Sequence, residues 1–191
     1  GTGYRKISYG ETQRQGSAAV QSWQRQDFFP IFSESGNHPG ERSMNTIKPL
    51  VILLAEDNID HAELIVETLQ DFNLTNTVFH VTNGEEVIKF LKCEGEYNTS
   101  ETKIPDLILL DLKMPRMDGT SALQWIKSEP QFRHLPVVML STSHTEQEIQ
   151  NCYRLGANSY LTKPLQFDDF IKKIKDLNFY WVLTSEIPHS E

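Results

Sequence analysis

Asp111 closes the run Leu107-Ile108-Leu109-Leu110, a carboxylate at the end of almost pure hydrocarbon. An ionised carboxylate is costly to bury without partners, so such a position demands a compensating charge. Other short apolar runs also end in groups that could supply or share it. LVILLA (50–55) is followed by Glu56 and Asp57, VVML (137–140) by Ser141 and Thr142, and NSYLT (158–162) by Lys163 and Pro164. If these ends meet at one rim, three acids, a hydroxyl and an ammonium group share one crevice. Adjacent carboxylates repel, which raises at least one pKa or calls for a hard, oxygen-seeking divalent cation. Mg²⁺ suits the set, because it takes one or two carboxylates, keeps several waters and accepts oxygens from a phosphoryl group. With Lys163 and the metal balancing its charge, Asp111 becomes a nucleophile toward phosphorus and its product an acyl phosphate. Mg²⁺ would neutralise charge on the transferring group. Lys163 would add a second positive charge, and the Ser141 hydroxyl a donor to a phosphoryl oxygen.

The elements that must position these groups are legible as hydrophobic pattern. Short apolar runs alternate with helical stretches from residue 49 onward, the signature of βα repeats and a parallel sheet. The five strands expected are LVILLA (50–55), TVFHV (77–81), LILL (107–110), VVML (137–140) and NSYLT (158–162). Between them Ala62, Ile65, Val66, Leu69 and Phe72 form one helical stripe, and Ile149, Cys152, Tyr153 and Leu155 another. Phe170, Ile171, Ile174 and Leu177 form the inner face of a last helix. The runs at 50–55 and 107–110 are continuous enough for central strands covered on both faces. Right-handed crossovers then give an open, doubly wound α/β sheet with its functional groups beyond the carboxyl ends of the strands.

Composition excludes several classes. A formal net charge of −8 on 191 residues argues against a nucleic-acid surface. No apolar run approaches the ~18 residues needed to cross a bilayer, and the N-terminus lacks the pattern of a secretory signal, so a soluble cytoplasmic protein without membrane contact is expected. Cys93 and Cys152 have neither CxxC nor zinc-finger spacing and are read as reduced, buried and structural. The histidines at 38, 61, 80, 134, 144 and 189 show no ligand spacing and are read as ordinary surface or core residues. Residues 1–45 hold six of the ten glycines and little periodicity. They are expected to be a flexible leader, disordered or added upstream of a start at Met44. The segment QSWQRQDFFPIF (21–32) is the one part of it that could dock as a linear motif.

In their order and on these strand ends, the residues closely resemble the receiver domain of two-component response regulators over positions 47–183. Asp111 and Ser141 stand 30 positions apart, and Ser141 and Lys163 stand 22 apart, both as in that family. Lys163-Pro164 is similar to its Lys-Pro pair, and Met114-Pro115-Arg116-Met117-Asp118-Gly119 to its loop after the phosphoacceptor strand. The resemblance implies a flavodoxin-like (βα)₅ receiver over 46–183, with a short tail at 184–191. Asp111 would be the phosphoacceptor, with Glu56 and Asp57 as the acidic pair for Mg²⁺ and the backbone carbonyl of Lys113 as a further ligand. Ser141 would take the hydroxyl switch position, with Thr142 and Ser143 as adjacent hydroxyls, and Lys163 the position of the family's lysine. Tyr160 would be the aromatic switch, and the bond to Pro164 cis. Phosphorylation would draw in Ser141, let Tyr160 turn inward and reshape the face of helix 4, strand 5 and helix 5.

The long connection KCEGEYNTSETKIP (92–105) and the aromatic end FYWVLTSEIP (179–188) resemble single-domain regulators paired with phytochrome-type histidine kinases. That subgroup implies a sensor histidine kinase as partner and a homodimer through the face containing helix 5. Phe179, Tyr180 and Trp181 would either serve that interface or pack on the chain's own sheet. With only a short tail after helix 5, output is expected through protein contact, dimerisation or phosphate relay.

Each feature also has a plainer reading. Asp57 and Asn58 suit an N-cap, Lys163 a surface turn, and Ser141 or Thr142 a cap of the fourth helix. Their coincidence on strand ends argues for one site. A phosphohydrolase of the haloacid dehalogenase class would use the same aspartate. It needs a second acid two positions later as general acid, and that position is Lys113. A nucleotide binder lacks GxGxxG or GxxxxGK[ST] after the first strand.

Overall fold

Near-continuous apolar runs give strands that bury both faces, and the chain pairs them in parallel. The computed structural model describes residues 49–70, 76–164 and 166–179. All of these belong to one compact unit. The elements are β1 (Val51–Ala55), α1 (Ile59–Gln70), β2 (Thr77–Val81), α2 (Gly84–Leu91), a 3₁₀ turn (Gly95–Tyr97) and β3 (Leu107–Asp111). They continue with α3 (Gly119–Ser128), β4 (Val137–Ser141), α4 (Glu146–Arg154), β5 (Ser159–Thr162) and α5 (Phe167–Phe179). The strands form one five-stranded sheet in the order β2-β1-β3-β4-β5, parallel throughout. This is the expected doubly wound α/β architecture. The order reverses between β1 and β3, the switch point where such sheets open a crevice.

Side-chain alternation divides the core into two layers. On one face Leu53, Phe79, Ile108, Leu110 and Met139 pack with Val87 and Phe90 of α2, Leu123 and Ile126 of α3, and Cys152 of α4. On the other, Ile52, Leu54, Leu107, Leu109, Val138 and Leu140 meet Ile65, Val66 and Leu69 of α1 and Phe170 and Ile174 of α5. All five residues of β3 and of β4 are buried, as their continuous hydrophobicity requires.

Several boundaries differ from those read off the sequence, each for a local reason. Leu50 stands outside β1 because its N–H is taken by the Asn76 side chain at 2.9 Å. β3 and β4 each gain a residue, because Asp111 pairs with Leu140 and Ser141 with Thr162. The functional residues are thus the last rungs of the ladder. The expected stripe on α4 is corrected: Cys152 is buried, but Tyr153 is 49% exposed and Ile149 and Leu155 are only half-buried. The helix has nine residues and covers the edge of the sheet, where β5 is itself half-buried along its length. Ile171 and Leu177 of α5 are likewise half-buried. Cys93 is exposed at φ +53, just past the end of α2, where the reading as a buried residue fails. Cys152 is buried, and both thiols are free. Phe72, the 1–45 leader with its 21–32 segment, the 179–181 rings and the 184–191 tail lie outside the described residues. No helix among the described residues is long and apolar enough to cross a membrane.

Tyr97 ties the long 92–105 connection to the core. Tyr97 is 2% exposed and meets Phe90 edge-on at 5.5 Å, and Phe90 in turn packs on Phe79 at 5.1 Å. The segment enters β3 at the end of the strand opposite Asp111. Tyr97→Ala should therefore lower the unfolding free energy by about 3 kcal/mol in urea denaturation while leaving chemistry at Asp111 unaltered.

Candidate functional site

Four strands deliver the site residues to one rim. Glu56 and Asp57 follow β1, Asp111 ends β3, Ser141 ends β4, and Lys163 follows β5. They line a cavity of about 220 Å³ together with Asn58, His61, Lys113 and Thr142. One carboxylate oxygen each from Glu56, Asp57 and Asp111 lies within 4.8 Å of the others. Glu56 and Asp111 are buried and Asp57 is exposed.

The buried acids share one cation. Lys163 Nζ donates to Glu56 Oε2 at 2.5 Å and also to Asp111 Oδ1, with its own side chain 6% exposed. Asp111 Oδ2 accepts from the Lys113 N–H at 2.9 Å, so both of its oxygens are engaged. Lys163 is aimed by its backbone, whose N–H bonds the Ser141 carbonyl at 2.6 Å and continues the β4–β5 ladder. The described residues contain no cis peptide bond, so Lys163–Pro164 is trans where the resemblance implies cis. Trans is the favoured isomer by roughly 0.5–1 kcal/mol, and from it the lysine reaches both acids.

Local turns make room for this arrangement. Asn58, not Asp57, caps α1: its Oδ1 accepts from the His61 N–H at 3.1 Å, leaving the Asp57 carboxylate to the crevice. Asp118 caps α3 by accepting from the Ser121 N–H at 2.7 Å. Gly119 is required, since a Cβ there would stand 2.1 Å from the Asp111 carbonyl oxygen. Arg116 takes φ +64 in the same loop.

Ser141, 2% exposed, accepts the Ser143 N–H on Oγ at 3.0 Å. Neither it nor Thr142 caps α4, which begins after Thr145. Tyr160 is half-buried, and its hydroxyl donates to the Ser143 carbonyl at 3.1 Å. Burial pushes the phenol above its ordinary value, so it remains a donor. Thr142 and Lys113 are exposed at the mouth of the cavity.

Sequence reasoning missed two histidines here. His61 Nδ1 lies 3.4 Å from Glu56 Oε1, and His80 Nε2 lies 2.8 Å from the Glu56 carbonyl oxygen. Both were read as ordinary because no ligand spacing marks them. The available signal for His61 was its place three residues after the helix cap, on the turn facing the acids.

The all-oxygen donor set suits a hard divalent cation. Three carboxylates against one lysine leave negative charge for such an ion to neutralise. Residues 52–175 match the profile of the response regulator receiver domain. The chain belongs to that family. The receiver is 36% identical to response regulator Rcp1 of Synechocystis over 140 residues, covering 73% of this chain and 94% of that protein. The Mn²⁺-bound crystal structure of Rcp1 superposes with a TM-score of 0.69 at 35% identity, covering 74% of this chain and all of that one (100%). The phosphorylated cyanobacterial phytochrome response regulator RcpA gives a TM-score of 0.70 at 38% identity, covering 74% of this chain and 99% of that one. The relation to phytochrome-associated regulators expected from the 92–105 and 179–188 segments therefore stands.

Burial holds the Glu56 carboxyl above its ordinary value of 4.5, against the opposing pull of Lys163. The folded receiver thus keeps this proton more tightly than the unfolded chain does. Without a divalent ion, the contribution of Glu56 to stability is fully present below pH 4.5 and is lost as pH rises through the raised folded value. A cation binds the ionised form. The gain in Tm on adding Mg²⁺ should therefore increase with pH across that window in paired calorimetric scans, and a gain that stays flat would contradict the assignment.

Proposed function

We propose that this receiver accepts a phosphoryl group from a sensor histidine kinase on Asp111, with Mg²⁺ held by Asp57, Asp111 and the backbone carbonyl of Lys113, and with Glu56 completing the acidic set. The observation that carries this reading is the buried Lys163 bound to both Asp111 and Glu56 in the lining of a cavity of about 220 Å³. Mg²⁺, when bound, supplies charge neutralisation for the transferring group. An Asp111 carboxylate oxygen attacks phosphorus, the P–N bond of the phosphohistidine breaks, and an acyl phosphate forms. Lys163 remains beside it as a fixed cation, at no cost of reorganisation.

Ser143 links the two switch side chains, which gives the conformational change a mechanical route. Its N–H is held by Ser141 Oγ and its carbonyl by the Tyr160 hydroxyl. A Ser141 hydroxyl that turns to donate to a phosphoryl oxygen releases the Ser143 N–H. The loop between β4 and α4 is then free to move, and Tyr160 with it. The surface reshaped is that of α4, β5 and α5, which we take as the output face, read by partner contact. The similarity to the phytochrome response regulator RcpA supports a kinase of the phytochrome type, and we take a homodimer through the α5 face as the form in which that surface is used.

The second reading from sequence, a phosphohydrolase of the haloacid dehalogenase class, lacks the second acid that class places two residues after the nucleophile. Lys113 stands at the position where one is needed, exposed, with its backbone N–H on Asp111. The test is labelling with acetyl phosphate or a phosphohistidine donor. Wild type should incorporate phosphate only with Mg²⁺ and lose it in alkali, and Asp111→Asn should incorporate none. Continuous phosphate release from unrelated esters would favour the hydrolase instead.

A further inference from the structure

Glu56 is held at three points. Its N–H bonds the Val81 carbonyl at 3.0 Å, its carbonyl accepts from His80 Nε2 at 2.8 Å, and its Oε2 accepts from Lys163 at 2.5 Å. Since a carbonyl only accepts, His80 carries its proton on Nε2. The freedom left to Glu56 is rotation of Oε1 about the Lys163 contact. At Oε1 stands His61 Nδ1, 3.4 Å away. Its ring is placed there by the α1 cap, because the His61 backbone N–H is the one that Asn58 binds.

We infer that His61 is a positioning residue for Glu56, keeping Oε1 directed toward the cation site of Asp57 and Asp111. The inference rests on the proposed reading of that site. A carboxylate oxygen has two acceptor directions. Oε1 can therefore receive Nδ1–H on one side and keep the other for the cation site. Metal sites depend on such outer hydrogen bonds to orient their carboxylates. The imidazole is not itself a ligand: the donor atoms that cluster within 4.8 Å are those of Glu56, Asp57 and Asp111. The ring is 36% exposed beside a carboxylate that is 1% exposed, so it also forms the solvent-side wall of Glu56.

The inference is tested by the Mg²⁺ dissociation constant, measured by competition against Mn²⁺ with the electron paramagnetic resonance signal of free Mn²⁺ as readout. The pH and ionic strength are held the same for every variant. Wild type, His61→Leu and His61→Asn are compared, with ion-free thermal unfolding recorded for each. His61→Leu should weaken Mg²⁺ by about tenfold, the lower end of what loss of such a contact costs, with its ion-free Tm close to wild type. His61→Asn places an amide N–H near the Nδ1 position and should recover most of the affinity. Unchanged affinity in His61→Leu, or a loss that Asn does not restore, overturns the positioning role while leaving the cation site intact. Failure of the wild type itself to bind Mg²⁺ overturns the cation site on which the inference rests.

Discussion

The structure turns on one buried ammonium group shared by two buried carboxylates. At an effective dielectric constant near 20, unit charges ~4 Å apart attract by about 4 kcal/mol. Desolvating each ion costs several kcal/mol. Lys163 therefore offsets part of the cost of Glu56 and Asp111 and leaves the cluster negative, since Asp57 adds a third carboxylate at the rim. That residual charge makes the cluster able to coordinate a divalent cation, which a balanced site would attract far less.

The fold divides its rigidity to match. Asp111 and Ser141 end strands buried along their whole length, and Glu56 follows one whose last four residues are buried. The opposite behaviour belongs to α4 and β5. One buried side chain anchors α4, every residue of β5 is half-buried, and β5 has a neighbour on one side only. Few buried contacts mean a low free energy of local opening, which suits the part we propose for these elements. Lys163 and Tyr160 both ride on this looser edge.

How much of this was legible depended on whether the determinant was local. Hydrophobic runs gave all five strands, because a parallel strand covered on both faces has little freedom in composition. The site followed, because acids, a hydroxyl and a lysine ended those runs. The stripe Ile149, Cys152, Tyr153 and Leu155 misled, because periodicity records which residues share a helix face and not how much sheet lies beneath it. His61 and His80 were invisible for a related reason. Each acts on Glu56, His80 from a neighbouring strand and His61 from the turn that follows, and hydrogen bonds formed by folding leave no spacing to count. Tyr97 in the 92–105 segment is a similar case: a single aromatic among polar residues became the anchor of the whole connection.

The residue two positions beyond the nucleophile shows how little separates a signal from a turnover enzyme. An aspartate nucleophile, a cation site and a lysine are common to both uses, and what a hydrolase adds is an acid to assist departure and recharge water. At Lys113 this chain contributes a backbone N–H to Asp111 Oδ2 and sends its side chain to solvent. The N–H holds the carboxylate in place but is far too weak an acid to serve as a general acid at neutral pH. In the proposed acyl phosphate, the Lys163 ammonium group and the Lys113 N–H would be the donors already placed at the modified carboxylate.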